Sequence, residues 1–335
     1  ASLSDGSSDE ISRLLGLPSL PVTGRLTHSG EYRMEAFDPA TLEARGDVAL
    51  SGRFREGVRQ AVTGSGRFRL AGSALEVEEA FLESSEASAR FSGKIALSKG
   101  GDVEGTLEGS AGDLTVLAPF LAHLPAATRA PLEEILRDSP GASVEIKGLL
   151  VRAAGDLTLT GRAEARALEL RGTRLGDLQA DFTASSSRVE VAEVSLTGGD
   201  VSLDVSGWLR LQPGAAASGD SFAVQGSVAG MDLSWLEPWT GIPVPAEGRM
   251  TAEFDLSGRM EEVLGRVEWS LERPVIASIP LESAAGKFSL VPGGLLLEEM
   301  GLSREGGRVE ASGRIGFAGA PILVHLNGDG IEMEG

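Results

Sequence analysis

The sequence predicts an all-β protein: an elongated, repetitive, twisted antiparallel sheet that is curled into a groove (a β-taco), with an aliphatic interior and a few short connector helices. Three observations support this prediction. Short runs alternate strictly between apolar and polar residues, which is the period of strands with one dry and one wet face. One long pattern occurs three times. Glycine provides 45 of 335 residues and aromatic residues only 5%, which is a small supply of bulk for a dense core.

The repeated pattern runs from Phe68 to Gly93, from Phe182 to Gly207 and from Phe288 to Gly313. Each copy begins with phenylalanine and ends in Ser-Gly at the same distance. A glutamate and then a leucine occupy matching places within the copies: Glu79 and Leu82, Glu193 and Leu196, Glu299 and Leu302. Self-similarity at a fixed period is the signature of a repeat architecture. The likeness extends outward to a period of roughly 100 residues.

The repeats predict the domain organisation. We expect a leader and connector at 1–20, a first repeat at 21–121, a helical connector at 122–142, a second repeat at 143–239 and a truncated third repeat at 240–335. Both ends of the chain resemble the interior of a repeat. We therefore expect the chain to be a piece of a longer repetitive protein.

Helical signals are confined to the connectors. The Ser-rich leader is predicted to be disordered and to lead into an apolar helical turn at 11–15. The stretch 131–138 places Pro131 at a first helical position, and 113–121 offers Asp113 as an N-cap. We interpret these helices as caps over apolar surface at an end or edge of the sheet. A mobile lid over a ligand is the alternative.

The alternation of the strands slips by one residue once in each copy, at the matching glutamate. Val189 and Val191 share one parity, whereas Val194 and Leu196 share the other. A slip of one residue is what a β-bulge produces. We therefore interpret the matching glutamates as solvated residues at bulges and not as a carboxylate site.

The composition excludes several classes of function. A net charge of −19 opposes sequence-independent binding of nucleic acid, which requires clustered Lys and Arg. The same charge is repelled by an anionic leaflet, so membrane contact is expected to come from an anchor or a partner outside this stretch. The absence of cysteine permits an oxidising compartment.

No motif for catalysis or metal binding is present. His28, His123 and His325 are far apart and lack metal-ligand spacing, and there is no cysteine for a zinc or iron–sulfur site. The sequence contains no nucleophile elbow, P-loop, HExxH helix or calcium loop. We expect no enzyme, no catalytic residue, no metal and no cofactor.

The predicted sheet must hide its apolar side by folding on itself, by packing against a second sheet or by holding a ligand. The inward residues are mostly small and aliphatic, which favours a trough with space above its floor. Burying one methylene contributes about 0.8 kcal/mol, so a sixteen-carbon acyl chain gains on the order of 12 kcal/mol. We expect no polar side chains at the inward positions, so that a bound chain could move with little barrier. An ordinary sandwich core shares that property.

The candidate lipid-groove residues are the inward residues of the repeated strands, together with the phenylalanines at the repeat joints. They are Phe68, Leu70, Ala89, Phe91, Ile95, Leu97, Val144, Ile146, Leu157, Leu159, Phe182, Val201, Leu203, Val205, Leu209, Phe254, Leu256, Phe288, Val309, Ala311, Ile315 and Phe317.

The run LLLEEMGLSREGGRVEASGRIGF, the motif Asp-Leu-x-x-Leu-x-Pro and the restart GRMTAEFDLSG together resemble the AsmA-like family, in particular its TamB (translocation and assembly module) type. The resemblance covers the chain from about Ile11. It implies a protein of the diderm bacterial envelope with an inner-membrane helix, a periplasmic β-groove of the bridge-like lipid-transfer type and a C-terminal domain that meets an outer-membrane barrel protein.

The function implied by the resemblance is phospholipid passage between the inner and outer membranes. Its partners would be phospholipid acyl chains, an outer-membrane barrel protein reached through a missing C-terminal part, and the inner membrane reached through a missing anchor, with no nucleic acid. The alternative is a periplasmic scaffold that assists outer-membrane protein assembly and has a dry β core.

Overall fold

The prediction of an all-β fold is confirmed by the computed structural model of the chain, in which strands account for most of the described residues. The structure describes residues 2–7, 22–35, 42–54, 61–97, 101–113, 133–134, 136–139, 141–153, 156–170, 173–185, 187–199, 201–210, 221–233, 246–259, 262–276, 278–317 and 321–330.

The chain divides into two compact units. Unit 1 consists of Ala1–Gly172 and Leu178–Ser187, and unit 2 of Thr173–Asp177 and Arg188–Gly335. The strands of unit 1 are β1 (Ser2–Ser7), β2 (Val22–Arg33), β3 (Glu43–Phe54), β4 (Ala61–Ala71), β5 (Ala74–Glu83), β6 (Ala87–Ala96), β7 (Val103–Ala111), β8 (Ser143–Ala153), β9 (Asp156–Leu170) and the greater part of β10 (Thr173–Ser185).

The strands of unit 2 follow the same simple order. They are β11 (Arg188–Gly198), β12 (Ser202–Arg210), β13 (Phe222–Asp232), β14 (Ala246–Arg259), β15 (Glu262–Ile276), β16 (Ile279–Pro280), β17 (Ser283–Val291), β18 (Gly294–Arg304), β19 (Gly307–Gly316) and β20 (Ile322–Asp329).

Each unit is an open antiparallel meander. In unit 1, every strand from β1 to β8 pairs with the next one along the chain. In unit 2, β11 to β15 pair in order, β15 pairs with β17, and β17 to β20 again pair in order. The two-residue strand β16 folds back onto the end of β15.

Within each unit, one face of the sheet is more buried than the other. In β4, Val62 is 2% exposed and the even-numbered residues from Gly64 to Leu70 are half-buried, whereas the odd-numbered residues between them are exposed. A flat single sheet would expose both faces equally. Such an asymmetry is what curvature of the sheet toward its apolar face produces, as predicted for a groove.

The three predicted bulges are confirmed. In β5 the register shifts between Val77 and Ala80, so two glutamates bulge at that point. Equivalent shifts occur in β11 after Val191 and in β18 after Leu297. Each bulge restores the apolar side chains that follow it to the same face as those before it.

The glycine that ends each copy of the pattern lies where a side chain has no room. Gly207 and Gly313 have φ angles of +153° and +156°, and a Cβ atom there would collide with the carbonyl oxygens of Ala223 and Leu323 on the next strand. A Cβ atom at Gly93 would likewise collide with the backbone of β7. Glycine inside a strand marks such a close approach, which lets the sheet bend.

One expectation about the leader is wrong, because Ser2–Ser7 forms β1 and pairs with β2. Backbone hydrogen bonds to an available sheet edge stabilise a strand whatever its side chains, so a polar composition did not prevent it. Residues 133–134 and 136–138 are helical, as predicted for the second connector. The predicted helices at 11–15 and 114–121 lie outside the described residues.

The glycine constraint predicts opposite effects at two inward glycines. Gly207→Ala is expected to lower the free energy of unfolding by about 1–3 kcal/mol, because it forces a side chain into a strained conformation against β13. Gly109→Ala is the matched control: its Cβ atom would lie 3.8 Å from the nearest neighbour. Alanine there should stabilise the strand by about 0.5–1 kcal/mol. Urea denaturation of both variants measures the difference, and equal shifts would contradict the close approach.

Candidate functional site

The apolar face of unit 1 is built from rows of side chains that run across the strands. One row, which we call the rim row, joins Leu70, Leu75, Ile95, Val103, Arg152 and Leu157 through successive register pairs from β4 to β9. The adjacent row joins Phe68, Val77, Gly93, Gly105, Leu150 and Leu159. Successive residues of a row face the same side because register partners share a face.

Unit 2 carries equivalent rows. One of them joins Val205, Gly226, Phe254, Val267, Phe288, Leu297, Gly313 and Val324 from β12 to β20. A parallel row joins Leu203, Val228, Ala252, Trp269, Gly286, Met300, Ala311 and Leu326. Each row crosses eight strands without a charged residue, so the apolar surface is continuous within the unit.

The sequence-predicted lining residues take places on these faces. Their side chains are half-buried at Phe68, Leu70, Ala89, Phe91, Ile95, Ile146, Leu159, Phe182, Leu203, Val205, Leu209, Phe254, Leu256, Phe288, Val309 and Ile315, and buried at Val144, Val201 and Ala311. The remaining three, Leu97, Leu157 and Phe317, are exposed at 43%, 38% and 52%. Leu97 and Phe317 follow the last residues of β6 and β19 and so lie at the margin of the face.

Residues that the sequence reasoning missed complete the rows. Val77, Leu107, Leu150, Val267 and Leu297 lie between predicted positions and face the same side. The signal that identifies them is the alternation already used for their neighbours. It becomes decisive only when the bulges and the register are known.

Most large apolar side chains on the face of unit 1 are only half-buried. The fully buried apolar residues of unit 1 are mostly alanine and valine, such as Ala44, Val62 and Ala165, whereas Phe68 and Phe91 stay half-buried. A packed core would bury its largest side chains most completely. The face is therefore an apolar surface that remains accessible within the described structure.

One part of unit 2 is closed. Leu233, directly after β13, is 5% exposed and packs in a cluster with Leu271 and Ala284. Met250 and Trp269 are among the partly buried residues packed against it. The leucine that follows Asp232 thus packs against apolar residues of unit 2.

The expectation of no polar side chains on the inward face is wrong in unit 1. His28 is the register partner of Val48, and Arg152 is the partner of Val103 and Leu157. Tyr32, partner of Ala44, also has an inward position. The alternation was sufficient to find these residues, since His28 shares its parity with Leu26 and Arg152 with Leu150.

The polar groups of His28 are satisfied. Its Nδ1 donates to the carbonyl oxygen of Asp47 at 3.0 Å, so its Nε2 accepts the hydrogen bond from the Tyr32 hydroxyl. Its ring centroid lies 5.3 Å from that of Phe68. A hydrogen-bonded histidine packed on an aromatic ring is a structural element of the face and not an open binding group.

The opposite face carries ion pairs between neighbouring strands. Lys147 Nζ lies 2.6 Å from Glu108 Oε1, and Arg162 donates two hydrogen bonds to the Asp181 carboxylate at 2.7 and 2.8 Å. The hydrogen bond from Lys147 holds the pKa of Glu108 below its usual range, and the hydrogen bond from Arg162 does the same to the pKa of Asp181. Such exposed pairs contribute little stability but fix which charges lie together.

The bulge glutamates also face this polar side. Glu79 lies 3.3 Å from Arg90 Nε, and more than half of each side chain is exposed. Glu299, the matching glutamate of the third copy, is exposed and is the register partner of Lys287. Its neighbour in the same bulge, Glu298, accepts a hydrogen bond of 2.8 Å from Arg266 and one of 2.6 Å from Ser289. Carboxylates that are exposed and already paired match their interpretation as solvated bulge residues.

Two further structural findings concern the described residues alone. They contain no group of three or more His, Asp or Glu side chains arranged to hold a metal ion. None of their helical segments is long and apolar enough to cross a membrane.

The chain matches no protein-family model, no curated protein sequence and no solved structure. The structural basis for assigning a function is thus the geometry of the apolar faces in the described residues, and the resemblance to AsmA-like proteins stays a prediction.

The polar face predicts a specific titration change. Arg162→Gln should raise the pKa of Asp181 toward its ordinary value, because the hydrogen bonds that favour the carboxylate are lost. The folded-state pKa of Asp181 is depressed, so the pair stabilises the fold above the unfolded-state pKa, and this contribution disappears as the pH falls through the folded-state pKa. Carboxyl-carbon NMR titration measures both effects.

The matched control is Lys147→Met, which should raise the pKa of Glu108 and leave that of Asp181 unchanged. If both carboxylates responded to either substitution, the two ion pairs would not be the local causes.

Proposed function

We propose that the chain is a segment of a lipid-transfer conduit whose apolar faces shield phospholipid acyl chains between the inner and outer membranes of a diderm bacterium. The observation that carries this proposal is the apolar face of each unit, whose rows in unit 2 contain no charged residue and on which Phe68, Phe254 and Phe288 remain half-buried. An accessible apolar surface of this extent either binds a ligand or partner or promotes aggregation in water. Acyl chains are the occupant that requires only apolar contact.

The energetics favour a long flexible ligand. Each methylene that leaves water contributes about 0.8 kcal/mol, so a chain that lies along one row is held by many small and equal contributions. Rows such as Val205–Gly226–Phe254 offer no charged side chain that would halt it. Lateral movement along the face therefore changes the free energy little, whereas escape into water stays costly.

The family resemblance supplies the cellular context of the proposal. It implies a location in the periplasm, as part of a parent protein that is anchored in the inner membrane and meets an outer-membrane barrel protein. The polar face and the net charge of −19 agree with a surface that faces water. Outer-membrane biogenesis is the process that such phospholipid transport would serve.

A second candidate is a periplasmic scaffold that assists outer-membrane protein assembly. The closed cluster around Leu233 and Leu271 favours it, because there the apolar side is sealed by the chain itself. If the remaining apolar surface were sealed in the same way, the face would be a dry core and would hold no lipid.

The two candidates differ in their response to a charge on the apolar face. For the conduit, Leu203→Arg and Val205→Glu should abolish copurification of phospholipid while the protein stays folded, since both positions are only half-buried. Ser202→Arg is the matched control, because Ser202 is exposed on the opposite face of the same strand. Native mass spectrometry with lipid extraction gives the occupancy, and circular dichroism reports folding.

Loss of lipid in the folded apolar-face variants, with normal lipid content in Ser202→Arg, supports the conduit. A lipid-free wild-type protein that Leu203→Arg unfolds supports the scaffold with a dry core and would overturn the conduit.

A further inference from the structure

Arg152 is an exception to the segregation of charge in unit 1. It is the register partner of Val103 on β7 and of Leu157 on β9, so its side chain leaves the backbone on the apolar side. Every other charged residue with a regular register position in β2–β9 lies on the opposite face, as Lys147 does on the same strand. A cation at this place costs stability and calls for a physical reason.

The Nε atom of Arg152 lacks a hydrogen-bond acceptor among the described residues. The residue as a whole is half-buried, and this atom is buried. A guanidinium carries five donors and no acceptor, and it stays charged at any physiological pH. The side chains of its register partners, Val103 and Leu157, are aliphatic and cannot accept a hydrogen bond. Unpaired buried donors are rare in folded proteins and indicate a missing partner.

The position of Arg152 limits what the missing partner can be. The residue lies in the rim row, one position before the end of β8, beside the 38%-exposed Leu157 and the 8%-exposed Val103. The adjacent row, with Leu150 and Leu159, continues the apolar surface inward. A ligand here meets a cation at the rim and aliphatic side chains beyond it. This is the polarity of an anionic amphiphile.

We propose that Arg152 binds the phosphate of a phospholipid headgroup at the rim of unit 1, while the acyl chains of the same molecule lie on the apolar face. This inference rests on the proposed lipid-binding function and adds the headgroup chemistry to it. Arginine suits the task because its planar fork donates two parallel hydrogen bonds to a phosphate. The site gives the lipid one orientation, with the headgroup toward solvent and the tails inward.

Arg152 also creates a resting place along an otherwise uniform face. A lipid held at this point gains a charge-assisted hydrogen bond that it loses when it moves on. The strongly acidic chain would otherwise repel a phosphate. The arginine therefore makes the rim of unit 1 selective for lipids that carry a phosphate.

The test compares two lipids with identical, fluorescently labelled acyl chains: phosphatidylglycerol, which carries a phosphate, and diacylglycerol, which does not. The full chain is used as wild type, Arg152→Gln, Arg152→Lys and the control Arg69→Gln. Arg69 is exposed on the opposite face of β4, so this control removes the same charge elsewhere. Glycerol 3-phosphate serves as a competitor without acyl chains, and circular dichroism verifies folding.

The wild type should bind phosphatidylglycerol about tenfold more tightly than diacylglycerol, which is the size of one charge-assisted hydrogen bond. Arg152→Gln should remove the preference and keep diacylglycerol binding, Arg152→Lys should keep part of it, and Arg69→Gln should leave it unchanged. Glycerol 3-phosphate should not displace either lipid at millimolar concentration.

Four results would overturn the inference. A wild type that binds both lipids equally, or an Arg152→Gln variant that keeps the preference, refutes the headgroup site and leaves the conduit standing. Displacement by glycerol 3-phosphate assigns the site to free phosphate. A wild type that binds neither lipid refutes the proposed function itself, and the headgroup site with it.

Discussion

The register of the backbone ladder is the constraint on which both apolar faces depend. Side chains alternate along a strand, so a shift of one residue would move a whole strand's apolar set to the solvent side. The bulges act within this constraint. After Val77 and again after Leu297, two residues oppose one, and the strand resumes with its leucines on the original face. A repeated glutamate therefore has a geometric role, because it occupies the point where the chain changes phase.

Glycine determines how far each sheet can bend. At Gly207 and Gly313 the neighbouring strand approaches so closely that a Cβ atom has no room. These glycines have no side chain to pack, so they leave open space above the backbone on the apolar face. One residue type thus produces both the curvature and the open space that distinguish these faces from a jammed core. The low aromatic content likewise leaves open space above the apolar face.

Segregation of charge gives the two faces different physical roles. Arg162 and Asp181 pair across strands on the wet face, where solvent and salt weaken such pairs. On the apolar face a charged group is partly removed from water, so Arg152 destabilises the fold unless an anion binds to it. The ring nitrogens of His28, on the same face, are both satisfied within the protein, by hydrogen bonds with Asp47 and Tyr32. The difference between these two polar residues is what separates a structural position from a candidate binding position.

The sequence alone determined the all-β class, the bulge positions and the face of nearly every predicted lining residue, because alternation is a local property that each strand carries by itself. Tertiary structure decided what depends on neighbours. The strand at Ser2–Ser7 exists because β2 offers it an edge, and the collision at Gly207 exists because β13 passes beside it. The sequence places Arg152 on the apolar face, but only the tertiary structure shows that its Nε is buried with no acceptor among the described residues. Hydrogen bonding and burial depend on atoms far apart in the chain, and a sequence pattern does not contain those distances.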